Sequence, residues 1–454
     1  MMFTIQEILD VTQGKLIQAG AVRKVRSVCI DSRKVKRGSL FVAIKGERFD
    51  GHDFVAQAVK QGAVAVVVSR GLSPKGDCPL IKVKDTVKAL GQIAKAHRDR
   101  FDVPIIAITG SAGKTTTKEM IASVLQSQYK VLKNEGSYNN QIGVPLTLLK
   151  IKPFHQIVVV EIGTNQPGDI AELTSIVQPS IAIMTNIGES HLERLKSPEK
   201  VFQEKISLVK GLPKGATVIF NKDDAFLKKI PARFRQKTCL SFGMNKGADY
   251  QATDIVAGQK GRINFKVNAR HAMQLPTPAF SNMYNALASI SCGRLFNISY
   301  NIIYTHLKRF GGIKGRQKVA CVKGFVVIDD TYNANPVSFR GALQLLDAFP
   351  ATGRKILVCA DMLELGQKAQ VLHQEIGEVV AESSTDVVLT YGSLSFYTAQ
   401  KIKKVNSRIE VCHFKTQLSL NKKLLKRCQP GDVVLIKGSH GMHMDKTVEC
   451  LGNG

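Results

Sequence analysis

The chain has 454 residues, 44% hydrophobic and 22% charged, with 64 Lys and Arg against 36 Asp and Glu. That length exceeds what one core normally holds and predicts three domains in a soluble globular protein, and no run approaches the roughly 18 uninterrupted apolar residues of a membrane-spanning helix. The formal charge of +28 would attract any polyanion, but the basic residues are spread along the whole chain, Trp is absent, and no helix-turn-helix, zinc finger or RNA-binding aromatic motif appears, so no dedicated nucleic-acid partner is expected.

Met1 to Gly20 carries Gln6, Glu7 and Asp10 without a basic start and apolar block, so it does not read as a signal peptide and a cytoplasmic location is expected. Nine cysteines scattered from Cys29 to Cys450, none in a Cys-x-x-Cys pair, fit reduced thiols and no structural zinc site. Residues 1–84 read as a small α/β unit of short strands and one helix, near His52 to Gly62, followed by the apolar strand AVAVVV. Residues 85–312 show longer βα alternation. A helix runs to Arg98, strands cover Pro104 to Thr109, Ile157 to Ile162, Ile181 to Thr185 and Ala216 to Phe220, and a helix starts at Lys114.

Apolar strands spaced by helices predict a mainly parallel sheet covered on both faces, and a polar segment from Gly247 to Arg270 predicts an antiparallel appendage. Residues 313–454 repeat the alternation through FVVIDD, a helix after Pro336, KILVCADM, DVVLTYG and DVVLIKGS, again as buried parallel strands. The glycines of FGGIKGRQK suit a joint before this region.

The strongest chemical signal is Val103 to Thr117, VPIIAITGSAGKTTT, an apolar strand ending in glycines, a lysine and hydroxyls. Small residues at Gly110, Ser111, Ala112 and Gly113 let backbone N–H groups close on an anion at the start of the next helix. Lys114 can reach outer phosphates, Thr115 can place a hydroxyl on magnesium, and Thr116 supports the loop. Two residues separate the glycines where the usual P-loop has four, so the loop is a shortened variant.

Downstream, VVVEIGTN ends a strand on Glu161, and IAIMTNIGESHLERL ends another with Asn186, Glu189 and His191 just beyond it. A carboxylate and an imidazole on the phosphate side of a parallel sheet can hold divalent ions against a triphosphate. Taken alone, Glu161 reads equally as a capping or ion-paired acid and His191 as a surface histidine.

Seven segments together resemble the Mur ligases: DSRKVKRGSLFVAIKGERFDGHDF, TGSAGKTTTKE, GSYNNQIGVPLTLL, VVVEIGTNQPGDI, TNIGESHLERL, DDTYNANPVSF and KGSHGMHMDKTV. The resemblance covers Asp31 to about Lys446, and DDTYNANP aligns it with the branch that adds D-alanyl-D-alanine. It implies an α/β protein of three domains: a small N-terminal UDP-binding domain, a central P-loop ATPase-like domain with a mainly parallel sheet, and a C-terminal Rossmann-like domain on the amino-substrate side. It also implies ATP-dependent joining of D-alanyl-D-alanine to UDP-N-acetylmuramoyl-tripeptide through an acyl phosphate, by a monomer using Mg2+.

By the same resemblance Lys114, His191, Lys205 and Arg316 are the catalytic set, Glu161 holds one magnesium, and His191 holds a second near the γ-phosphate. Lys205 in VFQEKISLV is implied to be carbamylated, which would turn an ammonium into an anionic metal ligand. Without the resemblance it reads as an exposed helix lysine. Asn282 and Asn285 in FSNMYNALAS are implied to pair with adenine, Arg316 to reach nucleotide phosphate, and Asp330, Tyr332, Asn333 and Asn335 to approach ATP. Asn335-Pro336 also suits a helix N-cap followed by Pro at N1. Ser32, Arg33, Asn139 and Asn140 are implied to touch the UDP-linked substrate, with a plain surface arginine the alternative at Arg33. The chain departs from the family at Ser281, where histidine is usual, and at His440, His443 and Asp445, where two arginines and a glutamate are common.

Two other functions fit parts of the chain. A folylpolyglutamate synthetase shares the loop and the modified lysine but leaves residues 1–84 without a role. A nucleic-acid-stimulated P-loop ATPase would respond to polynucleotide with steep salt dependence.

Overall fold

The computed structural model describes residues 2–20, 24–72, 77–258 and 261–453. The described strands fall into three sheets. The first contains β1 (Lys15–Gln18), β2 (Ser27–Cys29), β3 (Ser39–Val42), β4 (Ala63–Val68) and β5 (Leu80–Lys82). The second contains β6 (Ile105–Thr109), β7 (Val131–Lys133), β8 (Ile157–Glu161), β9 (Ile181–Met184), β10 (Thr217–Asn221), β11 (Thr238–Gly243), β12 (Tyr250–Gly258), β13 (Arg262–Val267) and β14 (His271–Leu275). The third contains β15 (Lys318–Val322), β16 (Phe325–Asp330), β17 (Lys355–Ala360), β18 (Val387–Tyr391), β19 (Glu410–Phe414) and β20 (Val433–Lys437). The chain forms two compact units whose division falls inside β6, with Ile105–Ala107 in the first and Ile108–Thr109 in the second.

The first unit holds residues 1–107, 129–163 and 169–180. Its complete sheet has the order β1-β5-β4-β3-β2, parallel except where β1 runs against β5. Every residue of β3 and β4 is buried, as expected of strands covered on both faces. The sequence reading of one helix in this region is incomplete. A second, Ile5–Thr12, opens on a capping box in which Thr4 and Glu7 bond each other's backbone N–H groups. The helix Thr86–Arg98 starts because the Asp85 carboxylate accepts from Val87 and Lys88 N–H, and it ends with Lys95, His97 and Arg98 at the negative end of its dipole. This unit also carries β7 and β8, which pair in parallel.

The second unit holds residues 108–128, 164–168 and 181–454. Strands β9, β10 and β11 are parallel neighbours, and Thr185 N–H, just past β9, donates to Thr109 O at the tip of β6 at 3.0 Å. The expected antiparallel appendage is present as β12-β13-β14, but it grows out of the sheet because β12 pairs in parallel with β11 through Phe242 and Gly243. The third sheet has the order β15-β16-β20-β17-β18-β19. All its neighbours are parallel except β15, an exposed edge strand that runs against β16. Its core packs Val327, Val358, Leu389, Val434 and Ile436 against Leu420, Leu424 and Leu451 of the covering helices.

Candidate nucleotide site

Four residues separate the end of β6 from the helix Lys114–Leu125, and two of them can only be glycine. Gly110 has φ +156°, and a β-carbon there would lie 1.9 Å from Thr185 Oγ1. Gly113, the helix N-cap, has φ +80°, and a β-carbon there would lie 2.5 Å from Asn285 Oδ1. Between them the loop is clamped by the residues that follow β9. Ser111 N–H donates to Asn186 O at 2.9 Å and Ala112 N–H to Asn186 Oδ1 at 2.8 Å. Asn186 Nδ2 returns a bond to Ala112 O at 3.2 Å, and Thr185 Oγ1 donates to the same carbonyl at 2.7 Å. The Ser111 hydroxyl donates to Gly188 O and accepts from Gly188 N–H, both at 3.0 Å.

In this structure the N–H groups of Ser111 and Ala112 both bond Asn186, next to Gly113 and the helix start. Lys114 folds back onto Gly110 O at 2.9 Å, where the ammonium stands at the mouth of the loop. Thr115 and Thr116 lie buried in the first helical turn. Thr117 Oγ1 donates to Asn285 Oδ1 at 3.0 Å, and Asn285 Nδ2 donates to Asn282 Oδ1 at 3.1 Å. The two asparagines expected to face a purine are thus nearly buried, and the Asn285 amide braces the phosphate loop from below.

His191 takes a left-handed backbone, φ +53°, and its Nδ1 lies 2.7 Å from Glu364 Oε2, in the loop after β17. Burial holds the imidazole below its ordinary pKa; the Lys205 and Lys114 ammonium groups push the same way, and Glu364 opposes them. Lys205 ends the helix Pro198–Lys205 and is 1% exposed, which removes the reading of an exposed helix lysine. Its neighbour Glu204 accepts from Gly168 N–H at 2.7 Å.

The third sheet contributes groups at the C-terminal ends of β16 and β20. Lys437 Nζ donates to Asp330 Oδ2 at 2.6 Å and to Asn333 O at 3.0 Å. Asn333 is exposed, its Oδ1 accepting from Ala334 N–H at 2.9 Å. Asn335 caps the helix Pro336–Ala348, with Pro336 in the first turn, and its Nδ2 also points to Ser111 O at 3.5 Å. The Arg316 guanidinium lies over the Tyr332 ring at 4.0 Å. Ser281 donates to Gln317 Oε1 at 3.2 Å. His440 and His443 are exposed, their rings 6.4 Å apart, and Asp445 opens the final helix.

In the first unit, Glu161 ends β8 at 1% exposed and accepts from Asn139 Nδ2 at 2.7 Å. Asn140 Oδ1 accepts from Ile142 and Gly143 N–H at the start of the helix Gly143–Leu148. Ser32 Oγ donates to Gln57 Oε1 at 3.1 Å. Arg33 extends into solvent with its side chain 80% exposed and forks onto Asp31, which anchors it without burying it.

Sequence reasoning overlooked three contributors. Asn186 stands near the site in the sequence without its clamp, Lys437 opens KGSHGMHMDKTV without a chemical role, and Glu364 follows KILVCADM unremarked. Their signal was a polar residue at a strand tip, which becomes specific only once its partner is known.

Among the described residues, no three His, Cys, Asp or Glu side chains form a group able to hold a metal ion by themselves. Magnesium at a nucleotide is held by one or two protein groups and completes its shell with phosphate and water. The Thr115 hydroxyl, the Glu161 carboxylate and the His191 imidazole have the right chemistry for such partial ligation.

Residues 24–98 match the Mur ligase family catalytic domain, residues 108–293 the Mur ligase middle domain, and residues 315–440 the Mur ligase glutamate ligase domain. The UDP-N-acetylmuramoyl-tripeptide–D-alanyl-D-alanine ligase of Bacillus subtilis (strain 168) is 34% identical over 454 residues, covering 99% of this chain and 98% of that protein. The chain belongs to the Mur ligase family. Among solved Mur ligases, a crystal structure of MurF from Acinetobacter baumannii superposes with a TM-score of 0.89 at 31% identity, covering 100% of this chain and 99% of that one. MurF ligase from Thermotoga maritima, crystallised in complex with ADP, has a TM-score of 0.84 at 30% identity, covering 94% and 97%. The Mur ligase fold of three α/β domains with mostly parallel sheets is the architecture of this chain. No described helix is long and apolar enough to cross a membrane.

Proposed function

We propose that this Mur ligase joins D-alanyl-D-alanine to UDP-N-acetylmuramoyl-tripeptide with consumption of ATP, forming the pentapeptide precursor of peptidoglycan in the cytoplasm. The observation that carries the reading is full-length likeness to ligases of that name, together with a GSAGKTT loop held open by the Asn186 clamp. The domains run over residues 1–84 for the UDP-linked substrate, 85–312 for ATP and 313–454 for the amino substrate, and the enzyme acts as a monomer.

The tripeptide's terminal carboxylate attacks the γ-phosphorus of ATP, ADP leaves, and an acyl phosphate forms. The amine of D-alanyl-D-alanine then attacks the acyl carbon, loses a proton, and expels inorganic phosphate as the amide bond closes. Such chemistry needs positioning and charge neutralisation more than covalent help. Lys114 turns from Gly110 O to the β- and γ-phosphates, and Gly113 with the helix start supplies N–H donors. Arg316 offsets further phosphate charge, while Asn282, Asn285, Asp330 and Asn333 border the nucleotide. Ser32, Arg33, Asn139 and Asn140 hold the UDP-linked substrate.

Glu161 would hold one Mg2+ and His191 a second, with Thr115 and a carbamylated Lys205 as further ligands; the ions would neutralise phosphate charge. Lys205 is 1% exposed, and a carbamate there would be paired with the cation it faces.

A phosphate-release assay across a matrix of UDP-linked precursors with amino acids and dipeptides tests the assignment. Turnover is expected only with UDP-N-acetylmuramoyl-tripeptide and D-alanyl-D-alanine together. Release driven by a folate and glutamate, or by polynucleotide alone, would sink it.

A further inference from the structure

His191 and Glu364 meet across two layers of the second unit, one just past β9 and the other between β17 and the helix Ala369–Ala381. Both sit in the left-handed region, at φ +53° and +64°, a conformation that non-glycine residues hold only when surrounding contacts impose it. Those contacts are present. Glu193 N–H donates to Glu364 O at 2.9 Å, so the loop is fastened by its backbone two residues beyond the histidine. Gly366, φ +59°, lies so close to Glu193 that a β-carbon there would stand 3.0 Å from Glu193 Cα. The loop is thus seated against the segment 191–193 before any side chain is considered.

On that seat the 2.7 Å contact has one chemical sense. An ionised carboxylate offers only acceptors, so Nδ1 carries the proton and donates, and the imidazole's remaining lone pair is on Nε2. A ring held in this way by a carboxylate on its far nitrogen is a pre-oriented ligand. We infer that Glu364 is a positioning residue: by accepting from His191 Nδ1 it fixes the ring's tautomer and direction, so that cation affinity at His191 depends on Glu364. The inference rests on the metal reading of His191 given above. It adds a residue that acts through the imidazole: without the Glu364 carboxylate the His191 ring is free to rotate and to change tautomer.

The test measures Mn2+ binding by the electron paramagnetic resonance signal of the free ion, with a nonhydrolysable ATP analogue present, in the full-length protein. Glu364→Asn tolerates the left-handed backbone but is one carbon too short, whereas Glu364→Gln keeps the reach and an acceptor oxygen. We expect the Asn variant to bind Mn2+ about tenfold or more weakly, and the Gln variant to stay within about threefold of the unaltered protein, with the thermal midpoint unchanged in both. Binding undiminished in Glu364→Asn, or lost equally in Glu364→Gln, overturns the inference while the metal reading stands, provided His191→Ala loses the ion. Undiminished binding in His191→Ala overturns the metal reading itself, and this inference with it.

Discussion

Lys437, 0% exposed at the end of β20, is paired with Asp330 at the end of the adjacent strand β16, Nζ to Oδ2 at 2.6 Å. The same ammonium holds Asn333 O, so one buried cation shapes the loop between β16 and the helix capped by Asn335. Removing one member of a buried pair strands the other charge, whereas replacing both by apolar groups does not.

Lys437→Met should therefore destabilise the third domain by about 3–5 kcal/mol, and adding Asp330→Leu should restore most of that loss. Urea unfolding of the two variants checks this. A single variant as stable as the parent would mean that the pair is solvated.

Lys114→Ala removes the cation that faces the transferring phosphoryl group. Turnover should fall by about 10²–10³-fold or more while circular dichroism stays unchanged. Near-normal phosphate release from a folded variant would refute the assignment of this loop as the nucleotide site.

Gly110→Ala places a methyl group against Thr185 Oγ1 and pushes the loop off its clamp. It should cost about 1–3 kcal/mol and abolish binding of a fluorescent ATP analogue, while Gly71→Ala, with nothing within 4 Å of the new carbon, should change stability by less than about 0.5 kcal/mol. Equal effects at the two sites would disprove the steric argument.

Acid should weaken the fold before any carboxylate titrates. Burial lowers the pKa of His373 and of His97, the latter with a buried Nδ1 that lacks a hydrogen-bond partner. His373 Nε2 accepts from Met362 N–H at 3.0 Å, a bond that needs the neutral ring. The unfolded chain therefore binds more protons than the folded one just below pH 6.5, the ordinary histidine value, so stability is complete above it and declines as pH falls through it. Thermal midpoints at pH 8, 7, 6 and 5 should drop across the last two steps, and His373→Gln should flatten part of the decline. An unaltered slope in that variant would remove His373 from the account.

The phosphate loop, the buried strands and the family likeness were legible along the chain because each is local. A strand covered on both faces needs an unbroken apolar run, as in AVAVVV, and a left-handed turn before a helix needs glycine, as at Gly113. Capping at Asn335 and Pro336 was legible for the same reason. The edge strand β15 and the helix Ile5–Thr12 were harder, being short, with edge exposure decided by which neighbour is absent.

What the order of residues settled by itself is the chemistry available: a lysine and hydroxyls after a glycine turn, with acids, amides and imidazole at the ends of strands. Only the folded chain decided which of those groups serve one another. Asn285 bonds Thr117 and Asn186 grips Ala112, while Glu364 orients His191 across 173 positions. A hydrogen bond between distant residues leaves no period or spacing in a sequence, because its energy depends on a separation in space that the backbone sets only when all three sheets have formed.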